Sequence, residues 1–523
     1  MTTIGKNSCR QFFSVRIFAV ATLALLCGSI SAQAQTVSAQ VAARFLEQAS
    51  WGPTPATISQ VQASGLQTYL QQQFAVPAST YPATTNFASI QQQFFVNALQ
   101  GQDQLRQRVS FALSQIFVVS DVGPNIKSPA AFPLWMNMLQ NDAFGNFFTL
   151  MNDVTISPVM GSYLSMAENN GCSRNCRPNE NYGRELLQLF TIGLFQLNPD
   201  GTPVLDQYGN LIPTYGQTTI EGFGDLFTGW TYNNPAYNPP HFFAPPVYVG
   251  PMIPVQVHYS QASKTLLNGY TLAPKGNIQT DLTSGLQNIF THPNVAPFIC
   301  KQLIQKLVTS NPSTTYVSNC SSAFLNDGTG VAGNMQAVIS EILLDPEARR
   351  GDNPANVEPG DGHLREPLLY INYALRALNA TSDGNGLSNY GNVFLQAPFL
   401  SPSVFNFYPP NYPIQGTSLV GPEFAILNAN TAVSRVNFVN DLVYGSVGPA
   451  TTINIAPYVT AAGNGVPALL TLINTNMMHG AMPTDMYNEL LSTLQNSAFT
   501  TPTSVAQAAL YLVTSSAQFQ FED

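Results

Sequence analysis

Hydrophobic residues recur every three to four positions along most of this chain, which is the spacing that predicts amphipathic helices. Near its start, Val41, Phe45 and Ala49 fall on one helical face. A threonine followed by proline at residues 54–55 is a helix start signal, and the next apolar stripe begins at Leu66. The clearest predicted helices cover residues 103–119, 178–193, 218–227, 278–291, 295–309, 331–344, 364–378, 423–442, 482–494 and 503–515, with two shorter ones between 132 and 151.

Turn-forming residues interrupt this pattern and predict a small β-hairpin near residues 200–215. Segments rich in Pro, Tyr and Asn or Phe cover residues 231–256 and 379–416, and their aromatic content predicts ordered loops that pack on the body. The sequence shows no tandem repeat and no clean linker. We therefore predict a mainly α fold, a large multi-helix globular body with this hairpin and long ordered loops, as a single domain over residues 35–523.

The first 34 residues are typical of a cleavable secretory signal. Three cationic side chains precede an apolar run over residues 17–26, and Ala-Gln-Ala at residues 32–34 predicts cleavage before Gln35. The apolar run is shorter than the roughly 20 residues that span a bilayer. A lipoprotein signal is the alternative, because Cys27 follows two leucines. We predict export to the periplasm or the extracellular medium.

Charge is scarce in this protein, since only 9% of its residues are Asp, Glu, Lys or Arg. Removing the three cations of the predicted signal leaves 16 Lys and Arg against 28 Asp and Glu, a net charge of −12. Such a surface repels nucleic acid and anionic lipid, and no basic patch favours either. No second apolar stretch predicts a membrane span after signal cleavage. The exposed positions must therefore be largely Gln, Asn, Ser and Thr.

Four cysteines lie beyond the predicted cleavage site, and an even number in an exported chain suggests disulfides. We favour the local pairing of the three possible ones, Cys172 with Cys176 and Cys300 with Cys320. Free thiols and a metal site are the alternatives. The metal reading is weaker because no histidine lies near either pair in sequence.

Six short blocks of distinctive composition follow one another along the chain. They are Asn179-Glu-Asn-Tyr-Gly-Arg-Glu-Leu-Leu-Gln-Leu-Phe-Thr-Ile-Gly193, Phe227-Thr-Gly-Trp230, Lys264-Thr-Leu-Leu-Asn-Gly269, Phe290 to Pro312, His363-Leu-Arg-Glu-Pro367 and Ser401-Pro-Ser-Val-Phe-Asn406. In order and spacing they resemble a family of large exported bacterial proteins catalogued as domain of unknown function 1800. The resemblance runs from about residue 40 to the C-terminus. It implies export, and it implies no established reaction.

Two positions depart from that family's pattern. Gly183 stands where the family commonly has alanine, which loosens the helix by up to about 1 kcal/mol. Tyr259 follows His258 where the family often has aspartate, so a His-Asp pair for catalysis or metal binding is missing there.

Polar residues cluster on the predicted helix over residues 178–193. Glu180 and Arg184 are four residues apart and can pair, and Asn181 lies beside them. Glu185 lies next to the apolar face, where partial burial would raise the pKa of its carboxyl group and suit a general acid or base. The structural alternative is an ion pair or a packing hydrogen bond with Arg365 or another arginine.

Other candidate site residues would form a site only if the fold brought distant parts of the chain together. His258 and Lys264 could join Glu185 in one pocket, and two histidines with Glu180 or Glu185 could bind a metal, although no short metal-binding spacing exists. We therefore predict no metal and no cofactor. Trp230 could belong to an aromatic binding platform, with core packing as the alternative. The oxygen-bearing turns around residues 198–210 could bind Ca²⁺ or be ordinary turns.

Two functions remain open from the sequence. The first is an envelope or extracellular protein that binds an unknown protein or polymer, favoured by the uncharged surface and the lack of a complete catalytic motif. The second is an exported hydrolase with Glu185, Arg184 and His258 as catalytic candidates. Convergence around one solvent-reaching pocket favours the enzyme, whereas dispersal or burial as closed ion pairs favours the binding protein. The binding candidates are Glu180, Asn181, Lys264, Trp230 and Arg365.

Overall fold

Helices dominate the computed structural model, which describes residues 37–171, 177–496 and 499–522. The predicted mainly α fold is therefore confirmed. The first half of the chain contains α1 Ala39–Ala49, α2 Pro55–Ser64, α3 Leu66–Ala75, α4 Phe87–Gln100, α5 Gln104–Ile116, α6 Ala131–Asp142, α7 Phe147–Ile156, α8 Pro158–Tyr163, α9 Asn181–Glu185 and α10 Gln217–Leu226. The predicted cleavage site at residue 35 and the Cys172–Cys176 pair lie outside the described residues.

The second half contains twelve further helices among the described residues. They are α11 Ile278–Phe290, α12 Val295–Leu307, α13 Thr314–Leu325, α14 Met335–Leu344, α15 Pro367–Ala377, α16 Leu387–Val393, α17 Ala429–Tyr444, α18 Ala456–Gly463, α19 Val466–Met477, α20 Thr484–Gln495, α21 Pro502–Ser515 and α22 Ala517–Gln520. Neutral side chains cap many of their N-termini, as Asn277 does for α11 and Ser313 for α13. This is how a charge-poor chain satisfies the first amides of its helices.

Six two-residue strands form three small antiparallel sheets. They are β1 Trp230–Thr231 with β2 Ile253–Pro254, β3 Lys264–Thr265 with β4 Thr271–Leu272, and β5 His363–Leu364 with β6 Phe521–Glu522. The first pair closes the base of the predicted loop over residues 231–256. The third pair joins the middle of the chain to its last described residues.

The predicted hairpin near residues 200–215 is present only as isolated antiparallel bridges. Phe195 lies opposite Pro213, and Leu197 lies opposite Pro203. Both prolines lie at positions where the flanking residues make the cross-strand hydrogen bonds, so their missing N–H groups cost these pairs no bond. The N–H of Gln196 donates to the carbonyl of Ile212, and the N–H of Val204 donates to the carbonyl of Gln196. The turns of the hairpin carry Asp200 and Asp206, whose carboxylates accept local hydrogen bonds from Thr202, Tyr208 and Asn210.

The helices surround one continuous hydrophobic core. Within it, α12 packs on α5, α13 and α14. A disulfide joins Cys300 of α12 to Cys320 of α13, with the two Cα atoms 5.7 Å apart, as the local pairing predicts. No helix of the described residues is long and apolar enough to span a membrane.

Three charged side chains of one short segment, His363, Arg365 and Glu366, are at most 2% exposed. His363 lies between two carboxylates, 3.5 Å from Glu423 and 3.6 Å from Glu522. Burial lowers the pKa of His363, but these carboxylates outweigh burial and raise it to about 9. Arg365 is 3.0 Å from a carboxylate oxygen of Glu47, and the carboxylate of Glu366 accepts hydrogen bonds from three side chains. These donors are Gln115, Gln396 and Tyr408.

The disulfide should contribute measurably to stability. It closes a loop between residues 20 positions apart, so we expect its removal in the double variant Cys300→Ala, Cys320→Ala to lower the free energy of unfolding by about 3 kcal/mol. Guanidinium unfolding without reductant measures this difference. Wild-type protein treated with reductant should lose a similar amount. An unchanged unfolding midpoint in both samples would contradict the contribution.

Candidate functional site

The predicted polar cluster begins just before α9, at a segment that two hydrogen bonds hold in place. The side chain of Asn169 accepts a hydrogen bond from the backbone N–H of Asn179 and donates one to its carbonyl, at 2.8 and 3.0 Å. Glu180 and Arg184 then form the predicted ion pair, with 3.0 Å between Oε2 and Nη2. Gln217 of α10 donates to the same carboxylate at 3.2 Å. Because both charges are partly exposed, this pair contributes little to stability.

Gly183 lets α10 approach α9 closely. A Cβ atom at this position would lie 3.1 Å from Cβ of Phe223, which is tighter than ordinary van der Waals contact. The departure from alanine therefore has a packing reason, because the glycine removes that contact at some cost in helix propensity.

Glu185 is the most buried of the predicted catalytic candidates, with 7% of its surface exposed. Its Oε2 atom has no hydrogen-bond partner among the described residues. Burial raises the pKa of this carboxyl group, and nearby Arg184 offsets only part of the effect. Burial, with Glu185 nearby, raises the pKa of Tyr163 and Tyr215 to about 12. Glu185 therefore has the desolvated environment that its place beside the apolar face predicts.

A π-helical turn follows Glu185 directly and was not predicted. It covers Leu186–Thr191, and the backbone N–H of Ile192 donates to the carbonyl of Leu187, five residues back, at 3.1 Å. Such turns are rare and occur frequently at functional sites. Hydrophobic spacing did not reveal it, because the apolar positions of this six-residue segment also fit an α-helix.

His258 belongs to an aromatic cluster. Its ring stacks on Phe242 with 3.9 Å between centroids and 6° between planes, and Phe243 contacts it edge-on at 5.8 Å. Nδ1 of His258 lies 3.0 Å from the side-chain oxygen of Asn170. We call residues 231–258 the aromatic loop. Its last residue, His258, contacts Phe242 and Phe243 in the middle of the loop.

Lys264 is fully buried in a closed set of contacts. Its ammonium donates to the carbonyls of Ser260 and Ala262 at 3.0 and 3.1 Å, and lies 3.8 Å from Asp281. It also lies 4.3 Å from the ring centre of Tyr259, whose hydroxyl donates to Asp281 at 2.6 Å. Burial lowers the pKa of Lys264, and Asp281 counteracts part of that shift. Tyr259, one of the two departures from the family's pattern, is therefore part of the lysine's surroundings.

The remaining predicted binding residues each have surroundings of their own. Asn181 is exposed at the start of α9. Trp230 is 4% exposed, so it belongs to the core. Arg365 stacks on Tyr373, with 3.9 Å from its guanidinium carbon to the ring centre, and contacts Glu47. No group of three His, Cys, Asp or Glu among the described residues could hold a metal ion.

Sequence reasoning missed a second polar cluster around Arg365, formed with Glu47, Tyr373 and His479. His479 is 3.3 Å from Glu47 and 2.9 Å from the hydroxyl of Tyr373. Two signals pointed to it. Glu47 lies on the apolar face of α1, and His479 is one of only five histidines. Neither signal identifies the partner, because these residues lie near opposite ends of the chain.

Comparison with known proteins identifies a family and no closer relative. The family model described as "Protein of unknown function (DUF1800)" matches residues 44–521. No curated protein and no solved structure matches the chain. The match covers nearly all described residues and agrees with the resemblance of the six sequence blocks.

The contacts of Lys264 predict a structural role. We expect Lys264→Met to lower the free energy of unfolding by about 3 kcal/mol, because it leaves buried carbonyls and Asp281 without their cation. The exposed Lys301 offers a matched control, and Lys301→Met should change stability by no more than about 0.5 kcal/mol. Urea unfolding at neutral pH compares the two variants. Equal stability of both with wild type would show that the buried pair is dispensable.

Proposed function

The chain belongs to the DUF1800 family, which has no assigned reaction, and we propose that it is an exported envelope or extracellular protein that binds a neutral polysaccharide through its aromatic loop. Export is supported by the predicted signal sequence and by the Cys300–Cys320 disulfide, since disulfides persist mainly in oxidising compartments. The proposal rests on one observation, the exposed aromatic surface of this loop.

The exposed aromatic rings of the loop are Phe243 and Tyr237, which are 57% and 40% exposed. Phe243 stands on the stacked pair of Phe242 and His258, and Tyr237 stacks on His241 with 5.6 Å between ring centres. Exposed aromatic side chains supported by a second ring layer give rigid, flat contact area at a small entropic cost. The apolar C–H face of a pyranose ring is complementary to such a surface.

The charge of the loop argues for a neutral ligand. Residues 231–258 contain no Asp, Glu, Lys or Arg. Recognition through charge pairing, as for nucleic acid, anionic lipid or a charged peptide, therefore has no groups to use within the loop. The exposed amides of Asn233 and Asn238 can instead donate to and accept from sugar hydroxyls.

The loop is held in one conformation despite its lack of regular structure. The hydroxyl of Thr231 donates to the carbonyl of Phe242 at 2.5 Å, and the Asn234 side chain donates to the carbonyl of Pro245 at 3.0 Å. The hydroxyl of Ser162 in α8 contacts those of Tyr232 and Tyr248. A preorganised surface loses less conformational entropy on binding, which favours a binding role.

A hydrolase that uses Glu185 is the second candidate function. It is favoured by the burial of Glu185, which raises the pKa of its carboxyl group in the direction that a general acid requires. The contacts of the other catalytic and binding candidates do not support a hydrolase, however. Arg184 pairs with Glu180, Lys264 is closed around Asp281, and His258 stacks on Phe242. Dispersed and internally paired groups favour the binding protein.

Sedimentation with insoluble polysaccharides tests the binding proposal. We expect wild type to bind at least one of cellulose, chitin or insoluble starch, and the double variant Tyr237→Ala, Phe243→Ala to bind at least tenfold more weakly, because the stacking surface is gone. Tyr444, an exposed aromatic residue on α17, provides the control Tyr444→Ala, which should bind like wild type.

The same samples separate the two functions. If wild type releases reducing ends and Glu185→Gln does not, the hydrolase becomes the better supported function. Absence of binding to all three polymers, or equal loss in the Tyr444→Ala control, would contradict the proposed role of the aromatic loop.

A further inference from the structure

A cleft of about 360 Å³ lies between α1, the segment after α19 and the last described residues. This volume is within the usual range of small-molecule sites. Helix α1 contributes Gln40, Arg44 and Glu47 to the lining. Because these residues follow one another at intervals of four and three positions, they lie on one face of the helix. One wall of the cleft is therefore a polar stripe.

Glu47 offers the cleft a carboxylate oxygen that no other side chain uses. Its Oε1 atom accepts from the hydroxyl of Tyr373 at 2.5 Å, and lies 3.0 Å from Nη2 of Arg365 and 3.3 Å from Nε2 of His479. Its Oε2 atom has no hydrogen-bond partner among the described residues, and it is not one of their unpartnered atoms that are sealed from solvent. Since 10% of this side chain is exposed, Oε2 is the oxygen that a ligand can reach.

The contacts of Oε1 keep this carboxylate charged and in place. Burial raises the pKa of Glu47, but Arg365 and His479 outweigh burial and lower this pKa to about 2. The carboxylate is therefore ionised at neutral pH, and Oε2 can only accept hydrogen bonds. A group that faces it must carry a hydrogen. Because the fold already holds the carboxylate, little conformational entropy is lost when a ligand binds there.

Arg44 offers a donor one helical turn away from that acceptor. Its Nη1 atom donates to the carbonyl of Ala348 and lies 3.2 Å from Asp352. Its Nη2 atom has no partner among the described residues and, unlike Nε, is not sealed from solvent. The guanidinium lies against Gly351, where a Cβ atom would come within 2.5 Å of Nε. A guanidinium held in this way presents Nη2 to the cleft as a free donor.

The opposite charges of this wall favour a neutral ligand. The cation of Arg44 and the anion of Glu47 are neighbours on one helix face. A ligand charge of either sign would attract one of them and repel the other. A hydroxyl group avoids this conflict, because it can both donate and accept. Two adjacent hydroxyl groups can therefore satisfy both free atoms at once.

Other parts of the lining offer apolar surface. Val357, Met478 and Phe521 all line the cleft, with Val357 exposed and Phe521 partly exposed. Methionine adapts to varied apolar shapes, and an aromatic ring gives a flat contact area. A sugar ring has hydroxyl groups along its edge and an apolar C–H face. It is thus complementary both to the polar stripe and to the apolar surface.

We propose that this cleft binds a neutral mono- or disaccharide, with one hydroxyl group donating to Oε2 of Glu47, an adjacent one accepting from Nη2 of Arg44, and a C–H face packed on Met478 and Phe521. The site shares no residue with the aromatic loop. The inference therefore does not rest on polysaccharide binding by that loop, and it gives the protein a separate site for soluble sugars.

Calorimetric titration tests this site in a protein whose aromatic loop no longer stacks on sugars. The double variant Tyr237→Ala, Phe243→Ala should bind at least one of cellobiose, N,N′-diacetylchitobiose or maltose with saturable one-to-one stoichiometry. Adding Arg44→Met should weaken this binding about tenfold, because a hydrogen bond from a charged donor is lost. The matched control is Arg184→Met, which also removes a partly exposed, paired arginine but lies outside the lining and should leave the affinity unchanged.

Two substitutions to tryptophan locate the site in the same background. Ala481 is an exposed residue of the lining, so Ala481→Trp should abolish sugar binding. Ala56 is exposed on α2 and outside the lining, so Ala56→Trp should bind like its parent. No saturable binding of any of the three sugars, an affinity unchanged by Arg44→Met, or binding that survives Ala481→Trp would each overturn the proposal. If Arg44→Met does not fold, Ala481→Trp and its control decide the matter.

Discussion

The fold depends on ion pairs and hydrogen bonds for three buried charged side chains of one short segment, residues 363–366. His363, Arg365 and Glu366 each require a different partner, because an unpaired buried charge costs several kcal/mol. The partners come from distant parts of the chain. They are Glu423 and Glu522 for His363, Glu47 for Arg365, and Gln115, Gln396 and Tyr408 for Glu366. The block that resembles the family's pattern at residues 363–367 is therefore a junction of the fold.

This junction also joins the two ends of the described chain. Arg365 contacts Glu47 of α1, and β5 pairs with β6 beside it. Lys264 is likewise bound by the carbonyls and the carboxylate around it. These buried charged side chains stabilise the fold through their contacts. Exposed aromatic rings are left as groups that can meet a ligand.

Periodicity predicted the fold class and most helices, since apolar stripes are a local property. It did not reveal α13, whose Ser, Thr and Asn residues hide the stripe, or the π-helical turn after Glu185. The burial of Glu185 followed from its place beside the apolar face. The stacking of His258 on Phe242 did not, because local patterns carry no information on such contacts. The same limit concealed the approach of Glu47 to His479.

The pH dependence of stability tests the role of the buried charges most directly. The pKa of His363 is raised from 6.5 to about 9 in the folded protein, so its stabilising effect is complete below pH 6.5 and is lost as the pH rises through 9. Wild type should lose about 3 kcal/mol of unfolding free energy over this interval relative to His363→Gln, which starts less stable at pH 6. Parallel curves for the two proteins, with similar stability at pH 6, would contradict a charged His363 between its two carboxylates.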